Sequence, residues 1–306
     1  MAKTQGAIGA DDIVAKPLRH PWRWISGVLV VFFVGLLAWS LYSAESIDHS
    51  VIAKYLFNPQ IMQGAVMTIV ITAIAMVIAT ILAVILAVMK LSPNPLLWAV
   101  SSSFIGFFRG TPLLLQIVFW GYLGIIYPTL TLGIPFTNIV FIDGQTSKLV
   151  PSLLAGIIAL SLNEAAYAAE IVRAGLLSVD RGQTEAAKSL GMSGGYTLRK
   201  IVLPQAMRVI IPPMGNETIS MLKSTSMLQV IAVTELYTRA TLISSQNLAQ
   251  IELLVVAAFW YLVMTSILSV PQHFLEKKYG RGFDAESVGF KWIRGARSSK
   301  KVEVTL

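Results

Sequence analysis

The sequence predicts an all-α, polytopic membrane protein, and three observations carry that prediction. Of its 306 residues, 55% are hydrophobic and only 13% charged, whereas a soluble domain carries about 25% charge. Its mean hydropathy is +0.68. The apolar residues are gathered into uncharged runs of about 20, enough at ~1.5 Å per residue to cross a hydrocarbon core ~30 Å thick. Inside lipid such a run must satisfy its own backbone polar groups, so each is read as a helix.

Six runs follow in order. Residues 1–24 form a basic N-terminal segment, and 25–43 is the first span. Basic residues before it suggest a signal peptide, but its apolar stretch exceeds the usual core of about 7–15 residues. Bulky Tyr42 also stands at −3 of the one small-residue cleavage site, after Ala44, so the span is predicted to be a retained anchor. Residues 44–60, with Glu45, Asp48 and Asn58-Pro59, read as a short polar loop. Lys54 and Lys90 bracket the second span, 61–89; Arg109 and Asp143 bracket the third, 111–130. Gly133-Ile134-Pro135 and Asp143-Gly144 mark 131–149 as turns. The fourth span is 150–172. The fifth, 204–225, carries Arg208, Glu217 and Lys223, and Pro212-Pro213 is expected to interrupt its backbone ladder. The sixth, 251–275, ends at Glu276-Lys277-Lys278, and 276–306 reads as a basic solvated or lipid-facing tail.

With an even number of spans, both ends lie on one side. Twenty of the 24 Lys and Arg fall on that side, leaving only Lys54, Lys148, Lys223 and Arg239 opposite; the asymmetry predicts cytoplasmic termini. It also accounts for the net charge of +8 as attraction to an anionic membrane face, so no nucleic-acid role is read from it. With no cysteine in the chain, disulfide scaffolds, thiolate metal sites and Cys nucleophiles are excluded.

The segment 178–203 between spans four and five differs from an ordinary connector. Gln183 to Leu190 has good helix propensity and is stopped by Gly191; Ser193 can start a second helix running to Pro204. Two short helices meeting at a glycine form a compact knob, with Ala186 and Ala187 for close approach, Leu190 and Met192 as apolar contacts, and Glu185 and Lys188 at the rim. Composition alone leaves a connector resting on headgroups equally open.

Here the sequence resembles a known family. Glu185-Ala186-Ala187, Gly191 and Ile201-x-Leu203-Pro204 are similar to the EAA loop of importer-type ABC permeases. Gln63-Gly64-Ala65 with Thr68, Arg109-Gly110-Thr111-Pro112-Leu113-Leu114-x-Gln116, Ala166-Tyr167-x-Ala169-Glu170-Ile171-x-Arg173, Gly215-Asn216-Glu217 and Leu222-Lys223-Ser224-Thr225 resemble the polar amino-acid permeases of the histidine/glutamine/arginine type. The matches run in order over about 63–276. The resemblance implies a five-helix permease core at 61–275, and the 25–43 anchor is extra to it. It also implies that Glu185, Ala186, Ala187, Leu190 and Gly191 couple the chain to an ABC ATPase present in two copies. That partner holds ATP and Mg, so no cofactor is assigned to this chain. A second permease copy or paralogue and an extracytoplasmic amino-acid-binding protein complete the implied assembly, embedded in membrane lipid of a prokaryotic inner membrane.

No catalytic set is legible. His20, His49 and His273 are far apart, and no Gly-x-x-x-x-Gly-Lys-Ser/Thr phosphate loop is present, so an enzyme is not predicted. Ionisable residues within spans cost about 2.5–3.5 kcal/mol each and mark cavities or partners. Asn163, Tyr167 and Glu170 share one face of span four with Glu164 beside them. Glu164 either lines a substrate path or makes an interhelical bond; Glu170, three residues before Arg173, reads first as a structural pair. Arg109 precedes the helix-breaking Gly110-Thr111-Pro112 and either holds a substrate carboxylate or is a boundary arginine. On span five Asn216, Ser220 and Lys223 share one face, with Glu217, Met221 and Ser224 on its neighbour; Glu217 and Lys223 either reach the path or neutralise span four. The candidate path is therefore Arg109, Thr111, Asn163, Glu164, Tyr167, Asn216 and Glu217. The rival reading is a proton-coupled secondary amino-acid transporter with Glu164, Glu170 and Glu217 as relay.

Overall fold

The computed structural model describes residues 21–44, 47–134 and 140–279. The 1–20 part of the N-terminal segment and the tail beyond 279 lie outside the described residues. The chain divides into two units, Met1–His49 and Ser50–Leu306. In the first, α1 (Pro21–Tyr42) is a helix over the 25–43 run; His49 stacks on Tyr42 with ring centroids 4.7 Å apart and bonds its carbonyl at 2.8 Å.

The second unit begins with α2 (His49–Leu56), a short helix inside what read as a polar loop. Asn58-Pro59 and Asn94-Pro95 then work alike. Each Asn side chain accepts from the backbone N–H two residues on, at 2.9 Å, and each Pro occupies the first helical turn, where no N–H is required. They start α3 (Pro59–Leu91) and α4 (Pro95–Gly110). The latter lies between the expected second and third spans, where the sequence reading placed no helix.

The third span also differs from the expected 111–130. After α4 the chain turns by 100° at Gly110-Thr111-Pro112 into α5 (Leu113–Gly121), followed by the single turn α6 (Leu123–Ile126). Pro112 cannot continue α4, and its rigid φ suits the start of the next helix. Residues 131–149 are more than turns. Strand β1 (Thr129–Gly133) pairs antiparallel with β2 (Val140–Gln145), Leu130 opposite Gly144, and α7 (Thr146–Leu149) leads back to the bundle.

The central helix is α8 (Ser152–Leu177). Ala155, Ala159, Ala165, Ala166, Ala168 and Ala169 are fully buried on it, and α3 answers with Ala75, Ala79, Ala83 and Ala87, a stripe at four-residue spacing. Small side chains let the two backbones approach closely, which in lipid replaces the hydrophobic drive available in water. The outer face of α3 carries Val77, Ile81 and Val88, all exposed, as a lipid-facing surface requires.

From α8 the chain enters α9 (Arg181–Ser189), α10 (Gly194–Thr197) and a π-helical turn, Leu198–Val202, before α11 (Leu203–Ser224). The second knob helix thus does not stop at Pro204, which sits in the first turn of α11. Nor is α11 interrupted at Pro212-Pro213; regular helix ends only at Ser224, where the 3-10 segment Thr225–Ile231 takes over. Pro212 leaves an uncapped carbonyl one turn earlier but keeps helical φ, so flanking packing carries the helix through. Buried Gln272 braces this stretch by donating to the Pro212 carbonyl at 2.7 Å. The remainder comprises α12 (Leu236–Asn247), absent from the sequence reading, and α13 (Gln250–Tyr279). By length and composition α3, α8 and α13 can each cross a bilayer, with the bent α4–α5 pair as a fourth.

Candidate functional site

A cavity of about 300 Å³ opens between α5, α8 and α11, lined by Leu113, Leu160, Asn163, Glu164, Tyr167, Glu217, Ser220, Met221 and Ser224. Helical spacing explains the set. Leu160, Asn163, Glu164 and Tyr167 lie at three- and four-residue steps on α8, as do Glu217, Ser220, Met221 and Ser224 on α11. Four residues assigned to the path from sequence, Asn163, Glu164, Tyr167 and Glu217, therefore line one cavity.

Glu164 is 7% exposed, and its Oε1 is buried without a hydrogen-bond donor. A buried carboxylate oxygen with no donor is costly, by about 1–3 kcal/mol or more. Glu217 sits across the same cavity, and among the described residues no ion pair joins it or Lys223 to α8. Two carboxylates, an amide, a phenol and two serine hydroxyls thus face a volume fit for a small polar molecule.

Three other predicted residues are placed differently. Arg109, at the end of α4, lies with its guanidinium carbon 5.1 Å from the centroid of the Tyr167 ring, beside the cavity instead of within its wall. Thr111 is tied into the bend: its hydroxyl donates to the Phe107 carbonyl at 2.9 Å and accepts from Gln116 Nε2 at 2.8 Å. Asn216 points away to α13, donating to Glu276 at 3.4 Å, although Ser220, one turn on, lines the cavity.

The bend itself is held by a residue the sequence reading quoted but did not select. Buried Gln116 donates to the carbonyls of Phe108 at 3.0 Å and Thr111 at 3.1 Å, covering backbone groups that the broken helix leaves open. Asn163 donates to Gln116 Oε1 at 3.2 Å and to the same Phe108 carbonyl at 3.1 Å, so it serves the bend as well as the cavity. Glu170 pairs with Arg173 at 2.8 Å and, unforeseen, with Lys90 of α3 at 2.6 Å.

At the knob, Asp180 caps α9 by accepting from Gly182 N at 2.7 Å. The helix closes in a Schellman turn: Gly191 N–H bonds the Lys188 carbonyl at 2.9 Å and Met192 N–H the Ala187 carbonyl at 3.0 Å. Gly191 has φ +74°, left-handed backbone that glycine adopts without strain. Glu185 and Ala186 are exposed and Leu190 is 81% exposed, whereas Ala187 is buried within the knob and so offers no outer contact.

Comparison with known proteins identifies relatives of the chain. Residues 79–281 match the family of binding-protein-dependent transport system inner membrane components. The arginine transport system permease protein ArgU of Corynebacterium glutamicum is 46% identical over 274 residues, 88% of this chain and 84% of that protein. The L-cystine transport system permease protein TcyB of Bacillus subtilis is 40% identical over 190 residues, 61% of this chain and 72% of that one. Among solved structures, an amino acid ABC transporter crystallised with histidines shares 34% identity and a TM-score of 0.63, covering 76% of this chain and 99% of its own. None of these relatives supports the proton-coupled alternative. The chain belongs to the family of binding-protein-dependent transport system inner membrane components.

Proposed function

We propose that the chain is the membrane-spanning subunit of an ATP-driven importer of polar amino acids, and that the cavity between α5, α8 and α11 holds the substrate's cationic group during passage. The observation that carries this is Glu164: a buried carboxylate oxygen without a donor, facing Glu217 across a cavity of about 300 Å³. An ammonium or guanidinium supplies the missing donors. Arg109, held beside the cavity by Tyr167, offers a cation for the substrate carboxylate. Such a site favours zwitterionic and cationic amino acids over anionic ones.

The driving force comes from outside the chain. Two ABC ATPase subunits hold ATP and Mg and receive the exposed Glu185, Ala186 and Leu190 surface beside Gly191. A second permease copy or paralogue completes the path, and an extracytoplasmic binding protein delivers substrate at the opposite end. Both termini are cytoplasmic. Because α10 and the π-helical turn run into α11 without a break, displacement of the knob moves the wall that carries Glu217, Ser220 and Ser224.

The test is uptake by the assembled complex in proteoliposomes. Glu164→Gln is expected to lower transport of arginine or lysine about tenfold or more, as loss of a charged hydrogen-bonding partner does, and to affect glutamine less. Unchanged rate and selectivity would remove Glu164 from the path.

A further inference from the structure

Glu235 is fully buried, and five donors converge on its carboxylate. Oε1 accepts from Thr238 N at 2.7 Å and the Thr238 hydroxyl at 2.9 Å; Oε2 accepts from Tyr237 N at 2.9 Å, the Tyr261 hydroxyl at 2.7 Å and the Thr68 hydroxyl at 3.4 Å. These donors belong to three elements: the first turn of α12, α13 and α3. Thr68 also accepts from Leu236 N at 3.3 Å. Leu222 of α11, two residues before cavity-lining Ser224, packs in one buried cluster with Leu236 of α12 and Leu253 of α13, and Tyr261 lies against that cluster. One carboxylate therefore joins α3, α12 and α13, and the helices it joins pack against the end of the cavity wall at Leu222.

This cluster does more than fill space. A carboxylate pays heavily for burial and holds only when its oxygens are fully bonded, and an apolar side chain would pack the same volume without that cost. What the carboxylate adds is direction, because it fixes three helices at defined angles and distances. The helix it holds is hung between two strained residues. Ala232 and Leu248, which flank α12, both have φ 59°, and they are the two non-glycine residues with positive φ among the described residues. Left-handed backbone at such residues persists only where surrounding contacts over-determine it. At Gly64, α3 also approaches α12 so closely that a Cβ would lie 2.8 Å from Leu236 Cα.

We propose that Glu235 is a positioning residue for translocation, which locks α12 onto α3 and α13 and, through the packing of Leu222 against α12 and α13, keeps the end of the α11 cavity wall in register with them. When this lock is weakened, ATP hydrolysis no longer enforces movement of that wall. The proposal rests on the cavity reading only in taking Ser224 as part of the path.

The experiment uses the complete complex, with its ATPase and binding protein, in proteoliposomes. ATP hydrolysed per amino acid imported is measured alongside the amount of assembled complex and its thermal stability. Glu235→Gln, which sets an amide N–H₂ against the converging donors, is expected to raise the ATP cost per substrate about fivefold or more. Tyr261→Phe, lacking one hydroxyl, is expected to raise it less, and Glu235→Asp to recover part of the coupling by restoring the cap on α12. Should Glu235→Gln not assemble, Tyr261→Phe and Glu235→Asp carry the test. A stoichiometry within about twofold of the native complex in the variants that assemble, with only stability lowered, would overturn the proposal. If Glu164→Gln proves silent while Glu235→Gln uncouples, Glu164 leaves the path and the Glu235 reading stands.

Discussion

Lys90 Nζ lies 2.6 Å from Glu170 Oε1, joining the end of α3 to α8. The other carboxylate oxygen is taken by Arg173 Nη2 at 2.8 Å and Nε at 2.9 Å. One carboxylate thus ties a cation of its own helix to a cation of its neighbour, and all three side chains are less than a third exposed. Partial burial spares the cluster much of the screening that weakens surface pairs. Glu170→Gln is therefore expected to destabilise the subunit by about 2 kcal/mol, read as a lowered midpoint of thermal unfolding. Lys90→Met should cost less, because Glu170 keeps Arg173. Equal and negligible effects would show the pairs to be solvated decoration.

Gln116 is expected to matter out of proportion to its neutral side chain. Gln116→Leu removes the donors to the Phe108 and Thr111 carbonyls and should cost about 2 kcal/mol. Because the bend positions both Arg109 and Leu113, transport should fall as well. Thermal unfolding and uptake measured on one preparation check both, and an unaltered uptake rate would separate the bend from the path.

At the knob, two substitutions should separate folding from docking. Gly191→Ala places a Cβ on left-handed backbone and should cost about 1–2 kcal/mol locally. Leu190→Ala removes an 81% exposed side chain, so the permease should keep its stability while its affinity for the ATPase falls about tenfold or more. Co-purification of the ATPase with each variant decides, and undiminished binding of Leu190→Ala would exclude that side chain from the interface.

Glycine positions offer a contrast within one bundle. A methyl at Gly64 would meet Leu236 Cα at 2.8 Å and the Glu235 carbonyl oxygen at 3.1 Å, both backbone atoms. Gly64→Ala should therefore cost about 1–3 kcal/mol through overpacking. Gly106, inside α4, has nothing within 4 Å, so Gly106→Ala should be neutral or stabilise by about 0.5–1 kcal/mol through helix propensity. Paired thermal unfolding curves test the sign of each.

Much of the molecule was legible from one dimension. The long helices α3, α8, α11 and α13 begin and end within a few residues of the expected spans, because a largely apolar run in lipid must satisfy its own backbone groups. The knob was legible because Gly191 supplies the left-handed residue that its helix needs to stop. Asn163, Glu164 and Tyr167 could be grouped by helical spacing alone. The same spacing misled for Asn216, since it says which residues share a face but not which neighbour that face meets. It also missed α12, whose polar sequence resembles a loop until Glu235 and Leu236 are seen pressed against Gly64 and Thr68 of α3.

By itself, then, the order of amino acids established a helical membrane protein, its long spans, the knob with its glycine stop and the family resemblance. These follow from hydropathy and local backbone preference, which act over a few neighbouring residues. Only the tertiary structure decided that Lys90 reaches Glu170, that Gln116 closes the bend, and that Thr68 and Tyr261 meet at Glu235, 167 and 26 residues away in the chain. Such contacts depend on how close two helices come, and here that distance is set by alanine and glycine stripes packing against one another, a property of pairs of helices that no single stretch of sequence contains.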